Sequence, residues 1–497
     1  MKKANIADLD ALSAKRAEEI RNTEDGTEIK GNIYYVSNDG SDENDGRSPR
    51  SPWRTLKRVS KAELAAGDGV LFRRGDLFRG CVKAREGVTY AAYGEGKKPE
   101  FYGWDRGLDD PTLWYEVDTE RHIWKWGEKI LDPGTLVFDH GKAHSRKLIP
   151  SYIDGRFVCR NDESAEFDMA RDMSEDLDLY WYYEDRLTTD TTTGDNAPIP
   201  LLDECSLGDI YLRCDRGNPA IVFESIEALP RRHMFTVGRA NNVKIDNLCI
   251  KYVGCHAISA GGHVRGLHVT NCEIGWIGGS IQHYDGTDPN YPEGGRGTVT
   301  RFGNGVEIYG GCEDYLVDNC YIYQVYDAGV THQITTNGKH TLMTGVRYTN
   351  NLIERCVYAI EYFLDMTRGD ESSLMSDIEI SGNILRLSGY GWGQQRHNFH
   401  TPAAIKGWSY VNRAQDYRIN DNIFDRCGYR LLHLVARDES SLPVMVGNTY
   451  VQNEGGMLGQ FGANHTAEPP VLIYGEDSER DITELMGDRD AEILLAE

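Results

Sequence analysis

Between residues 241 and 451 the chain repeats one short pattern: an Asn, then two or three mostly apolar or Cys residues, set between Gly-rich turns. The copies read Asn247-Leu-Cys-Ile, Asn271-Cys-Glu-Ile, Asn319-Cys-Tyr-Ile, Asn351-Leu-Ile, Asn383-Ile-Leu, Asn422-Ile-Phe and Asn448-Thr-Tyr. Successive Asn residues lie 24, 48, 32, 32, 39 and 26 positions apart. That spacing predicts a solenoid whose coil of about two dozen residues carries loops of variable length. Each copy supplies a strand too short to stand alone, so neighbours must stack to bury a continuous apolar column. Asn suits the position because its amide sits at a tight bend and bonds the equivalent Asn one rung away. The alternative is an ordinary β-rich domain in which these Asn residues mark turn exits.

The rest of the chain breaks that pattern in three places. Residues 1–30 carry Ile6, Leu9, Leu12 and Ile20 at helical spacing, which predicts a helix capping the open apolar end of the solenoid, with dimerisation as the alternative. Residues 31–101 read as the first coils, with strands at 70–72 and 88–90; the Asp-rich loop at 39–45 reads as a solvated turn, since it lacks the positions of a calcium loop. Residues 102–235 hold Trp104, Trp114, Trp124, Trp126 and Trp181, and alternate polar with apolar residues at 176–183 and 209–213. They predict an inserted antiparallel β subdomain whose aromatics form a core or stack on sugars. The main solenoid occupies 236–465, with long excursions at 282–304, 335–343, 367–376 and 390–402. An acidic tail at 466–497 closes the chain, with a short helix at 482–486.

The segment from Tyr34-Tyr-Val-Ser-Asn-Asp-Gly through Pro52-Trp53 to Thr55-Leu56, followed by Gly67-Asp68 and Arg74-Gly75-Asp76, together with the Asn repeats, resembles the right-handed parallel β-helix (pectate-lyase-like) superfamily. The resemblance spans roughly 31–100 and 235–465. It implies an all-β, right-handed parallel β-helix solenoid, with the insert resembling that of some glycosidase members. It also implies a carbohydrate ligand without fixing the reaction, because such proteins host hydrolysis, β-elimination, epimerisation and plain binding.

Charge narrows the partners. With 54 basic against 78 acidic residues the net charge is −24, which repels nucleic acid and anionic membranes and favours a neutral sugar over a uronate polymer. No apolar run reaches signal-peptide or membrane-span length, so a cytoplasmic setting is expected. The 11 Cys residues, with no Cys-x-x-Cys pair, read as small buried hydrophobes of a reducing compartment. Neither cofactor nor metal is expected, and monomer and small homo-oligomer remain equally open.

Strand alternation sets the expected chemistry. With Val306, Val330 and Ile360 inward, Glu307, Thr331 and Glu361 share one outward column, and Glu307 and Glu361, two rungs apart, have backbones about 10 Å apart. Asp327 lies in the turn entering the middle coil. The segments 304–310, 325–333 and 357–363 resemble those of carbohydrate-active β-helix proteins, and their acids are the expected catalytic groups. Glu361 is expected as the general acid, desolvated by Tyr358, Tyr362 and Phe363, with Asp327 or Glu307 as base. Expected substrate contacts are His332, Gln333, Tyr309, Tyr326, Trp392, His397, Trp408 and His433; His283 and His400 share the neighbourhood. This composes a glycoside hydrolase acting on an oligosaccharide. A lyase or epimerase would draw on Lys406, Arg396 and Arg368, and a non-catalytic sugar-binding solenoid would need aromatic platforms alone.

Overall fold

The structure, a computed structural model, describes residues 2–24, 26–153, 156–159, 162–174, 176–184, 207–284, 299–366, 371–396, 401–409, 411–463, 471–474, 482–484 and 487–496. Each coil gives one strand to each of three long sheets, in fixed order. One coil runs Lys244–Asp246, Cys249–Val253, Ile258–Gly261; the next runs His268–Thr270, Glu273–Ile277, Val306–Tyr309; the third runs Cys312–Asp318, Tyr321–Val325, Ala328–Thr335. Equivalent strands pair in parallel, and the sheets reach 11, 11 and 10 strands. The winding is right-handed, the hand that parallel crossovers almost always take.

Alternation makes the core continuous. Along the second sheet Phe101, Ile250, Ile274, Ile322, Ile353, Leu385, Phe424 and Tyr450 stack in register and are fully buried. Each such side chain contributes about 1.5–3 kcal/mol relative to exposure. The column replaces the compact core of a globular domain.

The Asn repeats occupy two adjacent positions rather than one. At the corner between the first and second sheets, the residue in the left-handed region is Asn247, Asn271, Asn319, Asn350, Gly382, Asp421 or Gly447. The next residue points inward and is Leu248, Cys272, Cys320, Asn351, Asn383, Asn422 or Asn448. From Asn351 onward it forms a buried ladder: Asn351 Nδ2 donates to Asn383 Oδ1 at 3.0 Å, Asn383 to Asn422 at 2.8 Å and Asn422 to Asn448 at 3.0 Å. Asn serves both positions because it tolerates the left-handed conformation and carries both donor and acceptor. In the earlier coils Cys320 takes the inward place, its backbone N–H donating to Asn351 Oδ1 at 2.9 Å.

The helix Ile6–Arg21 lies along the flank of the second sheet instead of covering an open end. Arg21 pairs with Glu273, Ile20 and Ala17 pack on Tyr321 and Leu352, and Asp10 meets Arg386 and Arg426. It thus crosses several coils. Beyond Thr449–Gln452 this sheet continues through Glu492–Ala496 to Lys2–Ala4, its edge strand. The acidic tail therefore supplies a further strand.

Residues 103–234 leave the solenoid after Glu100–Tyr102 and return at Phe235–Gly238. The insert is mainly antiparallel, as its alternation implied, with Leu179–Glu184 paired to Leu207–Arg213 and Trp114–Asp118 to Ile123–Trp126. Trp114 and Trp126 are buried in its core. A buried ion pair of Lys147 with Asp132 ties it to the solenoid, since Asp132 Oδ2 also accepts the Ile281 N–H at 2.7 Å.

Candidate active site

The third sheet carries the acids. Val306, Val330, Ile360, Ile405 and Leu432 pair in register and face inward. Their C-terminal neighbours Glu307, Thr331, Glu361, Lys406 and His433 therefore form one outward column, followed by Gln460. Strands so stacked lie about 4.8 Å apart. Although outward, the column is recessed: Glu307 and Glu361 are each 7% exposed and Thr331 is 0%.

Each carboxylate has a basic companion. Lys406 Nζ lies 2.9 Å from Glu361 Oε1. Arg396, reaching in from the loop after the short helical turn Trp392–Gln395, pairs with Asp327. His256 Nε2 meets Glu307 Oε2, while Gln333 Nε2 donates to Glu307 Oε1 at 3.4 Å. Burial raises the Glu361 pKa above the carboxylate range; Lys406 pulls it back and the nearby Asp327 charge adds to the rise. Burial works against the Lys406 ammonium, yet Glu361 and Tyr358 hold its pKa above the usual lysine value. One recessed face thus holds a carboxyl that favours its proton beside a carboxylate compensated by a guanidinium.

A second outward column runs alongside through Tyr309, Gln333 and Phe363, with the Trp408 ring against Phe363. Tyr309 is 42% exposed and meets Phe363 edge-on at 6.4 Å, and Phe363 meets Trp408 at 4.6 Å. Lys406 Nζ sits 4.1 Å from the Tyr358 ring centroid and 5.8 Å from that of Trp408. This strip offers aromatic faces next to the acids, suited to the apolar faces of sugars.

Other expected contacts lie elsewhere. His332 points into the core, stacked on Tyr362 with centroids 5.3 Å apart, and burial pulls its pKa down to about 3. Tyr326 and Trp392 are buried against each other at 5.1 Å, the Trp392 Nε1 donating to Gln324 O at 2.8 Å. Both rings pack the loop onto the solenoid rather than facing the groove. His433 does face outward, its Nδ1 accepting from Arg430 at 2.9 Å; burial, then Arg430 and Lys406, lower its pKa to about 3. His397, His400 and Arg368 lie outside the described residues, as does the side chain of His283.

Sequence reasoning passed over His256 and Asn304. His256 Nδ1 accepts the Asn304 backbone N–H at 2.9 Å, so its proton sits on Nε2, facing Glu307. His233 stacks on it at 5.0 Å and accepts its backbone N–H. The register signal was present, because Asn304 opens the segment that carries Glu307. A cleft of about 700 Å³ opens between the insert and the loop, lined by Arg146, Ile149, Phe167, Arg171, Gln395 and Arg396, and by none of the three acids. Arg396 thus joins the cleft to Asp327. Among the described residues no three of His, Cys, Asp and Glu group as metal ligands.

No family model and no curated protein matches the chain. Solved structures give distant likenesses. A complex of XylC with xylose is 12% identical, at a TM-score of 0.39, covering 93% of this chain and 82% of the other. A GH136 lacto-N-biosidase from Eubacterium ramulus is 12% identical at 0.36, covering 94% and 68%. A protein described as a glycoside hydrolase is 9% identical at 0.40, covering 94% and 96%. Likeness at this level carries no chemistry across. The strand topology speaks for the architecture directly: the chain is a right-handed parallel β-helix protein with a β-rich insert.

Proposed function

We propose that this protein is a glycoside hydrolase that cleaves a glycosidic bond in an oligosaccharide, with Glu361 as general acid and Asp327 as base. The observation that carries the reading is the pairing of a carboxyl whose proton is favoured by burial with a carboxylate compensated by Arg396. Glu361 donates its proton to the leaving glycosidic oxygen as the bond to the anomeric carbon breaks. Asp327 takes a proton from the attacking water, whose hydroxyl goes to the anomeric carbon. Lys406 then steadies the Glu361 carboxylate until the proton returns. Tyr309, Phe363 and Trp408 give the sugar an apolar bed.

The same reading takes the substrate to be a short oligosaccharide met in the cytosol by a monomer or small homo-oligomer. Eight of the described cysteines, Cys249, Cys272 and Cys320 among them, are free thiols, which suits a reducing compartment, and no helix among the described residues is long and apolar enough to cross a membrane.

A screen of oligosaccharides and aryl glycosides, reading reducing ends together with absorbance of the unsaturated uronate, tests the assignment on wild type and Glu361→Gln. New reducing ends without that absorbance, lost in the variant, are expected. Growth of the absorbance would replace hydrolysis by elimination, and silence on every substrate would leave a binding solenoid.

A further inference from the structure

Between Glu307 and Glu361 lie two polar groups that the acid–base chemistry does not use. Thr331 occupies the rung between the two acids, and Gln333 stands two residues further along the same strand, on the same outward face. Thr331 is 0% and Gln333 7% exposed, yet Thr331 Oγ1 and Gln333 Oε1 find no hydrogen-bond partner among the described residues. Buried oxygens left unmet cost stability, and a folded chain seldom keeps two together without a use. The Gln333 amide nitrogen is directed to Glu307, which turns its oxygen away as a free acceptor. Glu307 itself faces the Nε2–H of a His256 whose other nitrogen already accepts from the Asn304 backbone. Glu307 and Gln333 therefore offer acceptor oxygens, while the Thr331 hydroxyl and the second N–H of Gln333 remain able to donate.

We propose that Glu307, Thr331 and Gln333 form a recognition subsite for adjacent hydroxyls of an uncharged sugar ring, seated beside Glu361. The inference rests on the hydrolase reading for the identity of that neighbouring group. It makes Glu307 a substrate-binding carboxylate instead of the base, held in place by His256 as a positioning residue. A vicinal diol has two O–H donors to offer to a set of acceptors. A uronate carboxylate in the same place brings a negative charge to the Glu307 carboxylate, so the subsite selects against it.

Binding, which needs no turnover, tests this separately from hydrolysis. Affinities of neutral methyl pyranosides, their uronate counterparts and their monodeoxy analogues are measured by titration calorimetry on wild type, Thr331→Val and Glu307→Gln. At least one neutral ring is expected to bind more than tenfold tighter than its uronate. Thr331→Val, nearly isosteric and the safer variant to fold, is expected to weaken that ring about tenfold. The analogue lacking the matching hydroxyl loses the same factor on wild type and nothing further on the variant. A uronate that binds as tightly as its neutral partner, variants indistinguishable from wild type, or no binding of any ring would each overturn the subsite. Hydrolysis absent while neutral rings bind would sink the hydrolase reading alone, and hydrolysis that prefers uronides would sink this inference alone.

Discussion

Thr331 and His332 are chain neighbours on one strand, both fully buried, and they face opposite sides of the wall. On the inner side His332 Nδ1 meets the Tyr348 hydroxyl at 2.9 Å and Nε2 the Tyr417 hydroxyl at 3.4 Å, so both nitrogens are served. On the outer side Thr331 and Gln333 keep oxygens without partners, while Glu307 faces His256, Asp327 pairs with Arg396 and Glu361 with Lys406. Polarity and burial are the same on both faces. What differs is closure around the two residues: His332 finds both its partners inside the core, whereas the Thr331 hydroxyl finds none on the outer face.

The largest effect falls on the outer face. Glu361→Gln should lower kcat/KM by about 10²–10⁴-fold on any hydrolysed substrate, followed by release of reducing ends. An equal loss of folded protein in urea titration would assign Glu361 to structure instead. Next comes the inner corner. Asn383 accepts the Asn351 backbone N–H at 2.9 Å and donates to Tyr348 O and Asn422 Oδ1, each at 2.8 Å. Asn383→Ala should cost about 2–4 kcal/mol of unfolding free energy, from several buried groups left unmet.

His332→Phe should cost about 1–3 kcal/mol at neutral pH by stranding the tyrosine hydroxyls, with substrate affinity unchanged. Its pH dependence sharpens the contrast. The folded pKa of His332 is depressed to about 3 from 6.5, so the stability that its neutral form confers is complete above 6.5 and drains as the pH falls toward 3. The gap between wild type and variant should therefore close by about 1.4 kcal/mol per pH unit below 6.5. A gap that is constant from pH 7 to 5 would mean that His332 is not held neutral. The smallest effect belongs to Tyr309, where Tyr309→Ala should raise KM a few-fold through lost stacking worth about 0.5–1.5 kcal/mol, leaving stability untouched.

Much of the fold was legible because solenoids write their period into the chain. The apolar and polar alternation around Val306, Val330 and Ile360 was enough to place Glu307, Thr331 and Glu361 in one column. The Asn pattern was read as one position because Asn does two jobs one residue apart, and only pairing separates Asn350 from Asn351. Side-chain direction was harder for rings. Tyr326 and Trp392 come from a turn and a loop, where no alternation says which way they point, and both turned into packing. His332 was missed for the opposite reason: its strand does alternate, and counting one step from Thr331 would have turned it inward. His256 and Arg396 reach the acids from a neighbouring turn and a loop, contacts that no periodicity encodes.

The most direct test of the closure argument is Thr331→Val, read twice on the same protein: unfolding free energy in urea, and affinity for the neutral ring that wild type binds best. An outward oxygen kept for a ligand predicts stability unchanged or slightly raised, since an unmet polar atom is removed, and affinity lowered about tenfold. Stability lowered with affinity intact would contradict the account, showing that Thr331 serves the fold and that the outer face has no call on the sugar.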